Sequence, residues 1–292
     1  MQVVFHLGAH QTDHGLLLRS LLRNADLLLA EEVVVPGPSR YRKLIGDLVG
    51  TLRGAEPDEI VQETLFESVL DMDEPERLIL TSDSFICVPE RALEAGRLYN
   101  RAYKTAWLRA LFPGCESVFA MALRNPATLV PALLASNRLR GTSYQAFTGG
   151  ADPRAFRWTD AILRVQAANP GCPLILWCNE DTPLIWGDIL HALTGLPDDL
   201  TLEGEYDMLA QVMQRAGMAE LARHVAEHPR EAPQARREKI LDLLDEHAAL
   251  DRLDIEIDLP GWTQDLVEEI TATYDADVAT LSAMDGITLI KP

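Results

Sequence analysis

The chain has 292 residues, 47% of them apolar, and a formal charge of −19, enough for one large core or a core with an appendage. A field of that sign opposes general binding to nucleic acid or to anionic membranes, so any anionic ligand needs a local positive pocket. The cysteines Cys87, Cys115, Cys172 and Cys178 form no CxxC pair and lie in or beside apolar runs, as reduced thiols do; with no basic-plus-apolar leader and no long uncharged apolar window, the expected location is cytoplasmic, with no membrane span.

In chain order, "VVFHL" (3–7) predicts a strand buried on both faces, and "GLLLRSLLRNADLLL" (15–29) a helix with an apolar stripe. "EVVVPG" (32–37) predicts a second strand, stopped by Pro36-Gly37. A helix is expected over 58–72, where Val61, Leu65, Val69 and Met72 recur at helical spacing. "RLILTSDSF" (77–85) predicts a third strand running into polar residues. Pro89 opens a further helix at a position where proline is welcome, and 100–114 predicts another, closed by Pro113-Gly114. "SVFAMALRNP" (117–126) predicts a fourth strand ending at Arg124-Asn125-Pro126, followed by a helix to about Leu139. A helix over 152–171, a fifth strand at 173–181 and a helix over 182–195 with Gly195 as its stop complete the pattern. From about residue 201 the text turns to helices with charged linkers, with one short strand expected at "LDIEIDL" (253–259).

Nearly all-apolar strands alternating with amphipathic helices predict an α/β fold: a mostly parallel sheet of about five strands with helices on both faces. The division expected is a core at 1–200 and a mainly helical extension at 201–292. Ligands of such sheets bind beyond the carboxyl ends of the strands. That rule selects His10–His14, Thr81–Ser84, Arg124–Asn125 and Asn179–Asp181.

The segment "GAHQTDHG" (8–15) admits three readings. Strand, glycine-containing loop and helix N-terminus together make a phosphate site, although the GxxxxGK[ST] pattern is absent. His6, His10 and His14 fall four apart, but Gly8 and the preceding strand break the helical period, so no metal site is expected there. The loop can also be structural only, with Thr12 or Asp13 capping the helix. Further on, His224 and His228 lie one turn apart, half of a metal site without a third ligand.

"FHLGAHQTDHGLLLRSLLRN", "LILTSDSF", "LRALFPGCESVFAMALRNPATLVPALLAS" and "PLILWCNEDTPLIWGDILHALTG" resemble, in order and spacing over roughly 1–200, four segments of the bacterial sulfotransferase family. These are P-loop-like α/β proteins that use 3′-phosphoadenosine 5′-phosphosulfate. The resemblance implies that Gly8, Ala9, His10, Gln11, Thr12, Asp13 and His14 face the 5′-phosphosulfate. It implies that Arg124 holds the 3′-phosphate, with Ser136 as a displaced hydroxyl partner because the family serine falls on Ala132. It implies catalytic roles for Gln11, at the position of the family lysine, and for Asp83, as the base that takes the proton of a small-molecule or saccharide hydroxyl acceptor.

The departures weigh on activity. Gln11 removes a positive charge, and Asp13 replaces a loop glycine; a carboxylate about 5 Å from a phosphate charge repels it by roughly 3 kcal/mol at an effective dielectric of 20. Protonated His10 and His14 would compensate in part. Arg124 has a structural alternative, an ion pair with Asp83 or Glu180, and Asp83 one as a cap of the next segment. The expected function is therefore sulfotransferase-like with weak or lost binding of 3′-phosphoadenosine 5′-phosphosulfate or adenosine 3′,5′-bisphosphate. The alternatives are a non-catalytic binding or interaction module on the same fold and a metal-dependent hydrolase built on the N-terminal histidines.

Overall fold

The computed structural model describes residues 1–197, 199–253, 257 and 259–292. Its strands are β1 (Gln2–His6), β2 (Val33–Val34), β3 (Arg77–Thr81), β4 (Glu116–Leu123), β5 (Leu174–Cys178) and β6 (Ile287–Ile290). They form one sheet in the order β2-β3-β1-β4-β5-β6, parallel at every pairing. The helices over the first part are α1 (Leu16–Arg23), α2 (Ala25–Ala30), α3 (Pro38–Leu52), α4 (Glu59–Val69), α5 (Thr105–Ala110), α6 (Pro126–Ala135), α7 (Tyr144–Thr148), α8 (Trp158–Ala168) and α9 (Thr182–Thr194). After them come α10 (Leu209–Val212), α11 (Arg215–Glu227), α12 (Pro233–His247), α13 (Leu250–Leu253) and α14 (Gln264–Ser282).

Successive strand residues point to opposite faces, and here both faces are apolar. Val3 and Phe5 of β1, Leu78 and Leu80 of β3, and Phe119, Met121 and Leu123 of β4 enter one core with α3, α4, α6, α8 and α14. Val4, Ile79, Val118, Ala120 and Ala122 enter the other, under α1, α2 and α9. That two-sided burial is why the strands read as continuous apolar runs. A small third cluster, around Leu209, Met213, Leu221, Ile240 and Leu243, joins α10, α11 and α12.

Several expectations change. The sheet has six strands, because "ITLI" at the C-terminus pairs with β5, and α14 lays Tyr274 and Leu281 into the main core; the last part of 201–292 thus returns to the sheet. The predicted helix 15–29 is two, broken at Asn24. The Asn24 amide donates to the Ser20 and Glu203 carbonyls, and its oxygen accepts the Glu203 N–H. The second strand shrinks to two residues at the sheet edge, and Pro89 opens only a 3₁₀ turn. The helix after β4 ends at Ala135, and α3 is not among the predicted elements. The strand expected at 253–259 lies mostly outside the described residues. Gly195 does stop α9, in a left-handed conformation.

Candidate functional site

β2 and β3 lie to one side of β1, and β4, β5 and β6 to the other. The strand order therefore reverses direction at β1, and the crevice beyond its carboxyl end is where an open parallel sheet takes ligands. The loop 7–15 emerges there, between the ends of β3 and β4. It is anchored in line with the sheet: the Leu7 N–H donates to the Ala120 carbonyl, and the Ala122 N–H to that of Gly8. Gly8 holds φ +98°, and a side chain on it would meet the Asp83 Cα at 3.1 Å. Only glycine permits that approach, which brings Asp83 against the loop.

Within the loop the polar groups are used internally. The Asp13 carboxylate accepts the Leu17 N–H at 2.9 Å, and its carbonyl accepts the Leu16 N–H. It thus caps α1, whose N-terminal boundary residue is the left-handed Gly15. A carboxylate is already seated where the free N–H groups and positive dipole end of the helix would meet a phosphate. Thr12 donates its hydroxyl proton to the Ala9 carbonyl at 2.8 Å. Arg124, at the end of β4, donates through Nη1 to the Gln11 carbonyl and through Nε to Thr128 Oγ1. It makes no ion pair with Asp83 or Glu180, which corrects the structural alternative for it. Glu180 instead accepts the Asn125 N–H and the Tyr274 hydroxyl. Burial lowers the pKa of Arg124, against the pull of Glu180, and leaves it a cation.

His10 is buried. The Tyr99 hydroxyl accepts the His10 N–H at 2.8 Å and meets Nδ1 at 2.9 Å. The direction of the Nδ1 contact follows the tautomer of the ring, whose Nε2 is buried without a hydrogen bond of good geometry. The rings of His10, Tyr99 and Trp158 stack in series, with centroids 5.7 and 5.6 Å apart, and Trp158 donates Nε1–H to the Arg124 carbonyl. Gln11, His14 and Tyr99 all hold left-handed φ, at 58°, 48° and 44°, on the order of 1–2 kcal/mol each for a residue with a Cβ. Packing holds this loop in one shape.

The three N-terminal histidines diverge. His6 stacks on Trp177 and approaches Thr81 Oγ1, His10 stacks on Tyr99, and His14 is exposed. Burial lowers the pKa of both His6 and His10 more than Asp83 and other neighbours raise it. Neutral rings give the loop no positive charge at pH 7, so the compensation expected of His10 is not available. Among the described residues no group of three His, Cys, Asp or Glu side chains is placed to hold a metal ion. His224 pairs with Glu231 and stacks on His228.

Asp83 is exposed and, among the described residues, accepts the Ser84 hydroxyl at 3.1 Å, while Ser82 supplies the turn by accepting the Ser84 N–H. Ser136 is not brought to Arg124. It is the C-cap of α6, donates to the Leu133 carbonyl, and sits a whole helix away, about 15 Å by the helical rise. Gly8, Ala9, His10, Gln11, Thr12, Asp13, Asp83 and Arg124 thus do assemble, and Ser136 does not. Tyr99 and Trp158 belong to the site without any sequence motif to announce them.

No family model matches the sequence, and no curated protein matches it. Among solved structures, the crystal structure of a sulfotransferase from Alicyclobacillus acidocaldarius is similar at a TM-score of 0.42 and 12% identity, over 83% of this chain and 96% of that one. No residue role passes from that enzyme to this chain. No helix among the described residues is long and apolar enough to cross a membrane.

Proposed function

We propose that this chain is a sulfotransferase-like binding protein and not a sulfuryl-transfer enzyme. One observation carries the reading: the Asp13 carboxylate caps α1 from inside the loop, at the position an incoming phosphate would need. A bound nucleotide would have to displace that carboxylate or accept a repulsion of roughly 3 kcal/mol at 5 Å. Gln11 supports the same reading, since an amide carries no charge toward a leaving bridging oxygen, and losing one such electrostatic donor costs about 100- to 1,000-fold in rate. Arg124, the cation left of the implied set, is directed at the Gln11 carbonyl.

Calorimetry with adenosine 3′,5′-bisphosphate tests this. Binding at neutral pH is expected to be weak or undetectable. Submicromolar affinity in the natural protein, or turnover of 3′-phosphoadenosine 5′-phosphosulfate with a hydroxyl acceptor, would overturn it.

A further inference from the structure

Asp83 also lines a cleft of about 500 Å³ between α3 and the segment 82–108, a volume that suits a small organic ligand. Ile45, Val49, Phe85 and Leu108 give it an apolar wall. Arg42, Arg91, Arg101 and Lys104 line it as well. Four cations in one cleft stand against the charge of the molecule, which is −19 overall.

Their countercharges are incomplete. Glu94 binds both Arg101, at 2.5 and 2.7 Å, and Arg91, at 2.9 Å. Arg42 donates Nε–H to the Thr81 carbonyl, and the Lys104 ammonium lies over the Trp107 ring. Neither has a carboxylate partner among the described residues. With Asp83 and Glu94 as the opposing acids, two positive charges are left over. Burial lowers the pKa of Lys104, and Arg101 and Arg91 lower it further; an anion among them would relieve that crowding. The Cys87 thiol in the wall is pushed up to about 12 by burial, so it is an inert apolar surface at neutral pH and not a nucleophile.

Between Arg42, Ile45 and Val49, the α3 side of the cleft carries two positions without a side chain. Gly46, in the middle of that helix, and Gly50, one turn on in its last turn, both line the cleft, and a side chain on either would meet nothing within 4 Å. Glycine inside a helix is unfavourable by roughly 0.5–1 kcal/mol against alanine. Two at this spacing on the cleft face hold space open beside Arg42, which lies one turn before Gly46.

We propose that this cleft binds a small molecule with an apolar body and one anionic head group, a sulfate, phosphate or carboxylate, the body lying along Gly46 and Gly50 and the head among Arg42, Arg101 and Lys104. Binding here does not depend on whether the loop takes a nucleotide. The two are read with different probes, so either can fail alone.

The test is calorimetry on the full chain with octyl sulfate, octyl phosphate and octanoate, against octanol and inorganic sulfate, all below micelle-forming concentrations. One anionic amphiphile is expected per chain, with octanol and inorganic sulfate at least tenfold weaker; the order among the three anions identifies the head group. Lys104→Met and Arg42→Met should each weaken octyl sulfate about tenfold, whereas Lys43→Met, which removes an exposed charge from the same helix, should not. Gly46→Leu with Gly50→Leu should abolish binding without lowering the thermal midpoint. Equal affinity for octanol, equal losses in Lys43→Met and Lys104→Met, or unchanged binding in the double leucine variant would each overturn the proposal.

Discussion

Two neighbouring regions at the carboxyl edge of the sheet meet at Asp83 and treat their charges in opposite ways. The loop after β1 is closed on itself: Asp13 caps α1, Arg124 holds the Gln11 carbonyl, and Tyr99 takes both the N–H and the ring of His10. The cleft beside α3 is the reverse, with Arg42 and Lys104 lacking carboxylates and two helical glycines leaving room. A position in the fold is therefore a poor guide to which crevice is in use. The balance of satisfied and unsatisfied groups discriminates better: the half-buried Lys104 ammonium is costly without a countercharge, and the exposed Arg42 adds a second cation to the same cleft.

The sharpest way to break this contrast is to open the loop. Asp13→Gly with Gln11→Lys removes one repulsive charge and adds one attractive charge toward a 5′-phosphate. The expected gain for adenosine 3′,5′-bisphosphate is several kcal/mol, on the order of one Coulomb interaction plus one charged hydrogen bond, read by calorimetry. The same variant gives up the cap on the Leu17 N–H, so its thermal midpoint should fall, in line with about 1 kcal/mol for a lost cap. A repaired loop that still fails to bind would put the obstacle elsewhere, in the absent hydroxyl at Ala132 or in Arg124 remaining on the loop.

Tyr99→Phe probes the closure without adding charge. It leaves the buried His10 N–H and Nδ1 without their shared partner, an expected destabilisation of about 1–3 kcal/mol by chemical denaturation. Binding of octyl sulfate in the cleft should not change. A loss below about 0.5 kcal/mol would mean that the loop is not held by this stack.

The closed loop also predicts a pH dependence. His6 and His10 have pKa values lowered by burial from 6.5, so the unfolded chain binds protons that the folded chain refuses. Their contribution to stability is complete above pH 6.5 and is lost as the pH falls below it toward the folded-state values. Each unit of depression corresponds to about 1.4 kcal/mol. Denaturation midpoints should therefore drop below pH 6.5, and His10→Gln should flatten that drop. A curve of unchanged slope in the variant would remove His10 from the account.

What the sequence made legible follows the same division. Strands buried on both faces leave continuous apolar runs, so β1, β3, β4 and β5 and the loops at their ends are readable, and Gly8, Asp13 and Arg124 with them. β6 is not, because four residues behind a run of charged helices carry too little pattern. In α3, Tyr41, Ile45 and Val49 make a helical stripe, but two glycines in the same turns weaken it, and those glycines are what leave the cleft open. Tyr99 holds His10 from 89 residues away, and Trp158 reaches the Arg124 carbonyl from 34; their roles exist only once the chain is folded. Ser136 fails for a local reason: α6 ends one residue before it, and its hydroxyl turns back to Leu133.

The smallest predicted effect separates the size of those two glycines from their flexibility. If Gly46 and Gly50 serve only to leave space, a methyl group fits, since nothing lies within 4 Å of either added Cβ. Gly46→Ala and Gly50→Ala should then each stabilise the protein by up to about 1 kcal/mol in chemical denaturation, because alanine loses less backbone freedom on entering a helix. Octyl sulfate should bind both alanine variants as it binds the natural chain, while the leucine pair excludes it. Stabilisation with binding retained in alanine and lost in leucine would mean that the helix accepts a less favourable residue for the sake of volume. If alanine itself destabilised, α3 would need backbone freedom at these positions, and the cleft would be a place where the helix bends, not one where it makes room.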